Sequence, residues 1–203
     1  MRITASNLLD FYRQLLHREG LSLKYDLCNR WPPSLIDDII FHFTRTIKHS
    51  RLRGMFCPIL TKTSNQSAGN KICNFFIPRI SKDLSRFRII ACDGPGYPDK
   101  TLIRISDGLR IPLEVKATKE WNHSDTNRRV LTSASNKLRE NFTWPFYHLL
   151  IHLVYSLKNQ RSEIKCIRLD FLEPTTLVQI RLEASVNHQS LSKGNHTSRS
   201  FGL

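Results

Sequence analysis

Three residues near the middle of the chain combine reactive side chains with a telling spacing. Asp99 is followed, fifteen positions along, by Glu114, and Lys116 stands two places beyond that. Between them lies Asp107-Gly108, flanked by two β-prone runs, residues 102–106 and 109–117. Asp-Gly in that setting is a strong hairpin signal. A two-residue turn there would pair Ser106 with Leu109, Thr101 with Glu114 and Asp99 with Lys116. Directly opposed residues, and residues two apart on one strand, share a face. Asp99, Glu114 and Lys116 would therefore emerge together at the open end of the hairpin, with Leu113 and Val115 turned the other way into a core. A one-residue bulge would change this register. Two carboxylates side by side repel unless a cation lies between them. Hard oxygen ligands with open positions suit Mg²⁺, which keeps waters and accepts phosphate oxygens. A neighbouring Lys adds a donor and a positive charge for an attacking hydroxide and a pentacovalent phosphorus. The trio describes the chemistry of a metal-dependent phosphodiesterase. The competing reading of an E-x-K alternation is a solvated charged strand.

Charge agrees with a phosphodiester substrate. Lys and Arg number 31 against 17 Asp and Glu, a formal net charge of +14 on 203 residues. Such a surplus repels itself, and a polyanion offsets the repulsion. Nucleic acid is the expected partner, because neutralising its phosphates releases counterions; an anionic membrane surface is the weaker alternative. The basic residues are spread along the chain (Arg51, Arg53, Arg79, Lys82, Arg86, Arg88, Arg128, Arg129, Lys137, Arg139), as suits a folded surface or cleft better than a basic tail. With 40% hydrophobic and 24% charged residues, the bulk should be globular and form one domain. The longest apolar run, residues 149–154, is interrupted by His152 and too short to cross a bilayer. The N-terminal stretch lacks an apolar signal core, so no membrane span and a cytoplasmic location are expected. Five cysteines, an odd number without a CxxC pair, read as reduced thiols in or near the core and support neither a zinc knuckle nor a disulfide framework.

The elements that must position the trio follow from periodicity. Leu8, Leu9, Tyr12, Leu15 and Leu16 predict a helix ended by Gly20. A second helix should begin near Ser34, after Pro32-Pro33, with the stripe Ile36, Ile39, Ile40, Phe43 and Ile47. Residues 49–70 read as a basic, polar loop, and a third helix should run from Gly69 to Phe76, limited by Pro78. Strands are predicted over residues 86–92, 102–106, 109–117, 147–157 and 163–171, with a possible further one at 175–182. A helix over 133–141 separates the hairpin from the later strands. The order of helices, strands, helix and strands predicts a mixed α/β (α+β) layered fold.

Pro98-Asp99 followed by Glu114-Val115-Lys116 resembles the PD-(D/E)xK nuclease motif, and the apolar flank in PLEVKAT (112–118) is similar to its usual setting. NRRVLTSASNKLR (127–139) resembles the segment after the catalytic strand of type II restriction endonucleases, and SNQSAGNKI (64–72) resembles the polar, Gly-containing start of their early helix. The resemblance covers about residues 64–170. It implies a restriction-endonuclease-like core, a central mixed β-sheet flanked by helices, placed at residues 64–184; periodicity makes 1–63 a helical part, and the Ser-, Asn-, His- and Gly-rich composition of 185–203 marks a partly mobile tail. The resemblance also implies a homodimer and Mg²⁺-dependent, sequence-specific cleavage of double-stranded DNA. Asp99 and Glu114 would be metal ligands, the Val115 carbonyl a further one, and Lys116 would orient or activate water. Related enzymes often carry an acid on the early helix a few residues after a Gly-Asn pair; here that place holds Cys73, with Asn74 beside it, and neither is a good Mg²⁺ ligand.

Further residues have both a DNA-binding and an ordinary reading. Asn127, Arg128 and Arg129 could contact base edges, since Arg bonds G and Asn bonds A bidentately; they could equally contact phosphates or form plain surface. Ser133, Ser135 and Lys137 could bind phosphate at a helix N-terminus, or Ser133 could simply cap that helix. Lys62, Ser64, Asn65 and Gln66 form a second polar cluster, a DNA contact or a loop. Met55 could wedge between base pairs or pack inside. His42, His148 and His152 lie in apolar patterns and read as core histidines. The alternatives to a restriction enzyme are a repair or junction nuclease of the same fold and a non-catalytic nucleic-acid-binding module.

Overall fold

The structure, a computed structural model, describes residues 6–7, 29–49, 52–59, 64–94, 97–119, 136–142, 146–182, 187–191 and 196–203. In chain order these form β1 (Ser6–Asn7), α1 (Pro33–His49), β2 (Phe56–Pro58), α2 (Asn65–Asp83), β3 (Phe87–Ala91), β4 (Lys100–Arg104), β5 (Arg110–Thr118), α3 (Asn136–Asn141), β6 (His148–Lys158), β7 (Arg161–Leu172), β8 (Leu177–Leu182), β9 (Asn187–Leu191) and β10 (Thr197–Gly202). The main sheet has the order β10-β7-β6-β5-β4-β3, with β2 also paired to β7, and a smaller sheet has the order β1-β8-β9. In the main sheet β5 and β6 run parallel and every other pairing is antiparallel. The fold is thus mixed α/β with a mixed sheet, as the element order predicts. The helix expected at residues 8–16 lies outside the described residues. No helix among the described residues is long and apolar enough to cross a membrane.

Helix α1 starts at Pro33, a residue whose fixed φ and missing N–H suit the first helical position. Its stripe of Leu35, Ile36, Ile39, Phe43 and Ile47 is buried. Helix α2 departs from expectation at both ends. It begins at Asn65, within the predicted loop, because the Ser64 hydroxyl accepts the Ser67 N–H at 3.2 Å and caps it. It also runs through Pro78 to Asp83. A proline inside a helix costs about 3 kcal/mol, but the buried stripe continues past it through Ile80 to Leu84 at the C-cap. Burying two such side chains contributes about 3–6 kcal/mol, which offsets the break. The predicted loop also holds the short strand β2. The stretch expected to be a partly mobile tail supplies β9 and β10, and β10 pairs with β7 from Thr197–Phe171 to Gly202–Cys166.

The two faces of the main sheet differ in chemistry. One packs Ile111, Leu113 and Val115 of β5, Leu149, Ile151 and Leu153 of β6, and Ile167, Leu169 and Phe171 of β7 into a single core with Ile39, Phe43, Ile72, Phe76 and Ile80 of α1 and α2. By the alternation of a strand, the other face carries Glu114 and Lys116, His148, Leu150 and His152, and Arg168 and Asp170. Helix α3 lies on this second side, where Arg110 sits 5.8 Å over the Phe142 ring. The outer edge of β3 is covered by Ser81 of α2, whose hydroxyl accepts the Ile89 N–H at 2.8 Å and donates to the Ile89 carbonyl at 3.1 Å.

Candidate active site

Strands β4 and β5 form the predicted hairpin, but in a different register. Lys100 pairs with Leu113, Thr101 with Pro112 and Leu102 with Ile111. The Arg104 N–H reaches the Leu109 carbonyl at 2.9 Å, so the connection is the four-residue loop 105–108 and not a two-residue turn. Asp107 is the cause. Its carboxylate holds the Arg104 guanidinium, at 2.9 Å to Nε, and accepts the Leu109 N–H at 3.2 Å. Gly108 completes the loop at φ +73°, a conformation open to glycine. Continued past Lys100–Leu113, this register sets Asp99 opposite Glu114 instead of Lys116. The slip is two residues, so no side chain changes face.

The trio converges accordingly. The Lys116 ammonium lies 3.9 Å from Asp99 Oδ2 and donates a short hydrogen bond to Glu114 Oε1. The other Glu114 oxygen accepts the Asp99 N–H at 3.3 Å. Both carboxylates thus reach one cationic atom. Their exposures differ: the side chain of Asp99 is 47% exposed, that of Lys116 26% and that of Glu114 9%.

Burial is the largest influence on Glu114 and pushes its pKa up. The Lys116 ammonium opposes this, the Asp99 charge adds to it, and the net value is well above the usual carboxylate range. On Lys116 burial acts downward, but Glu114 and Asp99 outweigh it and hold the ammonium above its ordinary value. The two directions point opposite ways about which effect wins in the pair. The asymmetry of burial resolves them: the ammonium has access to solvent and stays charged, whereas the deeper carboxylate is incompletely compensated by one monovalent cation.

That makes the donor set one that fits Mg²⁺. Among the described residues no group of three or more His, Cys, Asp or Glu side chains could hold a metal ion. Mg²⁺ needs no such cage: one or two carboxylates, with waters and substrate phosphate, suffice. A backbone donor is also at hand. The Arg104–Leu109 hydrogen bond fixes the alternation of the antiparallel ladder, so Ile111, Leu113 and Val115 turn their N–H and C=O groups towards β4. Beyond Lys100–Leu113, the last β4–β5 pair, the Val115 carbonyl therefore faces the side on which Asp99 stands.

Helix α2 borders the site through Cys73. Burial pushes this thiol up to about 12, and it also feels the charges of Lys116, Asp99, Lys100 and Glu114. The position where an acid is expected by resemblance thus holds a buried neutral thiol, and its neighbour Asn74 is exposed.

The same sheet face carries a second polar cluster, which sequence reasoning missed. By register, Lys116 lies beside His152 and His152 beside Arg168; Glu114 lies beside Leu150 and Leu150 beside Asp170. Asp170 is fully buried and receives Arg168 Nε at 3.0 and 3.1 Å, Arg168 Nη2 at 2.8 Å and His196 Nε2 at 2.9 Å, with His152 Nδ1 at 3.6 Å. Burial pushes its pKa up, but the nearby His152 ring and the hydrogen bonds from His196 and Arg168 together hold the carboxyl far below its ordinary range. The available signal was the alternation Arg168-x-Asp170 in a strand-like run. His42 and His148, read as core histidines, are buried with polar partners: Ser85 Oγ at 3.1 Å from His42 and Tyr97 Oη at 2.6 Å from His148.

The expected DNA-contact residues fall into three groups. Lys62, Asn127, Arg128, Arg129, Ser133 and Ser135 lie outside the described residues. Ser64 caps α2, and Asn65 and Gln66 begin its first turn. Lys137 is buried at 7% exposure and donates to the Gly94 carbonyl at 2.9 Å; it fastens the loop before Asp99. Met55 is partly buried against the main core.

The chain matches no protein-family model, and no curated protein sequence matches it.

Proposed function

We propose that the chain is a Mg²⁺-dependent endonuclease of the PD-(D/E)xK kind that hydrolyses phosphodiester bonds in double-stranded DNA at specific sequences, as a type II restriction endonuclease does. The observation that carries the reading is that the carboxylates of Asp99 and Glu114 both reach the Lys116 ammonium at the mouth of a β-hairpin, in a protein of net charge +14. The finer fold assignment belongs to the same proposal: α2, the antiparallel β3-β4-β5, α3 and then β6 parallel to β5 form the restriction-endonuclease-like core.

In this reading Asp99, Glu114 and the Val115 carbonyl hold Mg²⁺. The ion, when bound, lowers the pKa of water and neutralises charge developing on the phosphate. A cation held there would supply the positive charge that the buried Glu114 carboxylate lacks, leaving the Lys116 ammonium available to substrate. The ammonium would then donate to the attacking water or to a phosphate oxygen. The basic surface holds the DNA backbone through its phosphates. Two copies related by a twofold axis present two such sites to the two strands of a symmetric sequence, so a homodimer is part of the proposal.

The test is incubation of the protein with plasmid DNA, with and without Mg²⁺, followed by mapping of the ends. Discrete fragments with a common end sequence support the reading. Asp99→Asn, Glu114→Gln and Lys116→Gln should each slow cleavage by about 100-fold or more, while DNA binding in Ca²⁺ persists. Cleavage confined to branched or damaged DNA would replace the restriction reading with a repair or junction nuclease. Tight DNA binding without cleavage in any divalent ion would refute catalysis altogether.

A further inference from the structure

We propose that Tyr97 and His148 are positioning residues for Asp99: their hydrogen bond ties the loop that carries this carboxylate to the strand beside Glu114, and so sets the separation of the two acids. The proposal rests on the nuclease reading above. Asp99 is not within a strand; it ends the connection between β3 and β4, and β4 begins at Lys100. Its carboxylate is half exposed, and its only described ion pair, with Lys116, is 3.9 Å long. The place of Asp99 is therefore decided by how the loop is held. The Cys92 N–H closes the loop on the Asp99 carbonyl at 3.2 Å, and Lys137 holds Gly94. The nearest side-chain anchor is Tyr97, two residues before Asp99. Its hydroxyl lies 2.6 Å from His148 Nδ1, with the two rings tilted and 5.6 Å apart. Tyr97 is 4% and His148 0% exposed, so water does not replace this bond if it is lost. His148 opens β6, the strand parallel to β5, and is two residues from Leu150, the register partner of Glu114. It therefore shares a face with Glu114. One acid is built into β5 and the other is fastened, through Tyr97, to the strand next to it. Two ligands held at a set separation bind a small, geometrically demanding ion better than one fixed and one wandering ligand.

The experiment combines Mn²⁺ binding, read by electron paramagnetic resonance on the full chain, with the Mg²⁺ dependence of plasmid cleavage. Tyr97→Phe keeps the ring and removes the hydrogen bond. It should raise both the Mn²⁺ dissociation constant and the Mg²⁺ concentration for half-maximal cleavage about five- to tenfold, the worth of one buried hydrogen bond, with KM for DNA unchanged. His148→Leu should do the same, and the double variant should be no worse than either single, because both act through one bond. His148→Asn, which keeps a polar atom near the Nδ1 position, should restore most of the affinity; this rescue also decides the matter if His148→Leu does not fold. Asp99→Asn should abolish the Mn²⁺ signal. If Tyr97→Phe and His148→Leu bind Mn²⁺ like the wild type, or their effects add, the positioning role is wrong. If the wild type binds Mn²⁺ through Asp99 yet cleaves nothing, the nuclease reading fails while the Mn²⁺ constants still decide the role of Tyr97. If no Mn²⁺ binds, both fail.

Discussion

Replacing Asp170 by Asn removes one negative charge from the interior of the sheet and leaves Arg168 facing it. The carboxylate has no exposed surface, and Arg168 and His196 together make four described contacts with it shorter than about 3.2 Å. Removing one partner of a buried pair costs about 3–5 kcal/mol. The Arg168 side chain is 20% exposed and can turn part of its guanidinium to solvent, so the lower end, about 3 kcal/mol, is expected. For a chain of this length that is a fall of about 6–12 °C in Tm. The dependence on pH has a definite sign. Because the folded pKa of Asp170 is depressed, its contribution is complete above the ordinary value of 3.8 and disappears as pH falls below that. Urea denaturation of the wild type and Asp170→Asn at pH 7, 5 and 3.5 should show a gap that is steady from pH 7 to 5 and begins to close at 3.5. A gap under 1 kcal/mol at pH 7, or one that widens in acid, would refute the argument that charge pairing holds this face together.

Other expectations need less development. Ser64→Ala should destabilise the protein by about 1 kcal/mol in urea, the worth of an N-cap, while leaving DNA affinity unchanged; a loss of affinity instead would make Ser64 a phosphate ligand. Ser81→Ala strips partners from both the N–H and the C=O of Ile89 and should cost about 1–3 kcal/mol by the same assay. Cys73, whose thiol is pushed up to about 12, should resist thiol-specific reagents in the native protein at pH 8 and react on unfolding, as peptide mapping would show. Gly108→Ala, at φ +73°, should cost about 1 kcal/mol without altering the register of the hairpin, which Asp107 holds.

The parts of the fold legible in the sequence are those in which local pattern and tertiary demand agree. The stripe of α1 and most of the apolar alternation in β3 to β7 bury the residues their periodicity marks, although Leu157, past the irregularity between Val154 and Tyr155, is exposed. Where the two conflict, tertiary packing decides. Pro78 should stop α2, yet the apolar stripe beyond it has a core to enter. The run Thr197–Gly202 has one large apolar residue, Phe201, which is buried; composition alone makes it a tail, but its backbone completes the edge of β7. Likewise Lys137 looks like a surface cation until Gly94, forty-three residues away in sequence, is brought to it.

The candidate site shows how a wrong detail can leave a right arrangement. A two-residue turn at Asp107-Gly108 sets Asp99 against Lys116, whereas the real loop sets it against Glu114. Both registers put the three side chains on one face, because strand geometry repeats every two residues and the slip is even. A slip of one would have turned Asp99 into the apolar core with Leu113 and Val115. What no local pattern could reveal is what keeps Asp99 in place. Tyr97 and His148 are separated by fifty-one residues, and neither carries a motif. Their meeting follows only from β6 running parallel to β5, a pairing that the intervening segment, not the hairpin, must make. The meeting of the three side chains on one face is therefore written in spacing, while the contacts that hold Asp99 exist only once the sheet has closed.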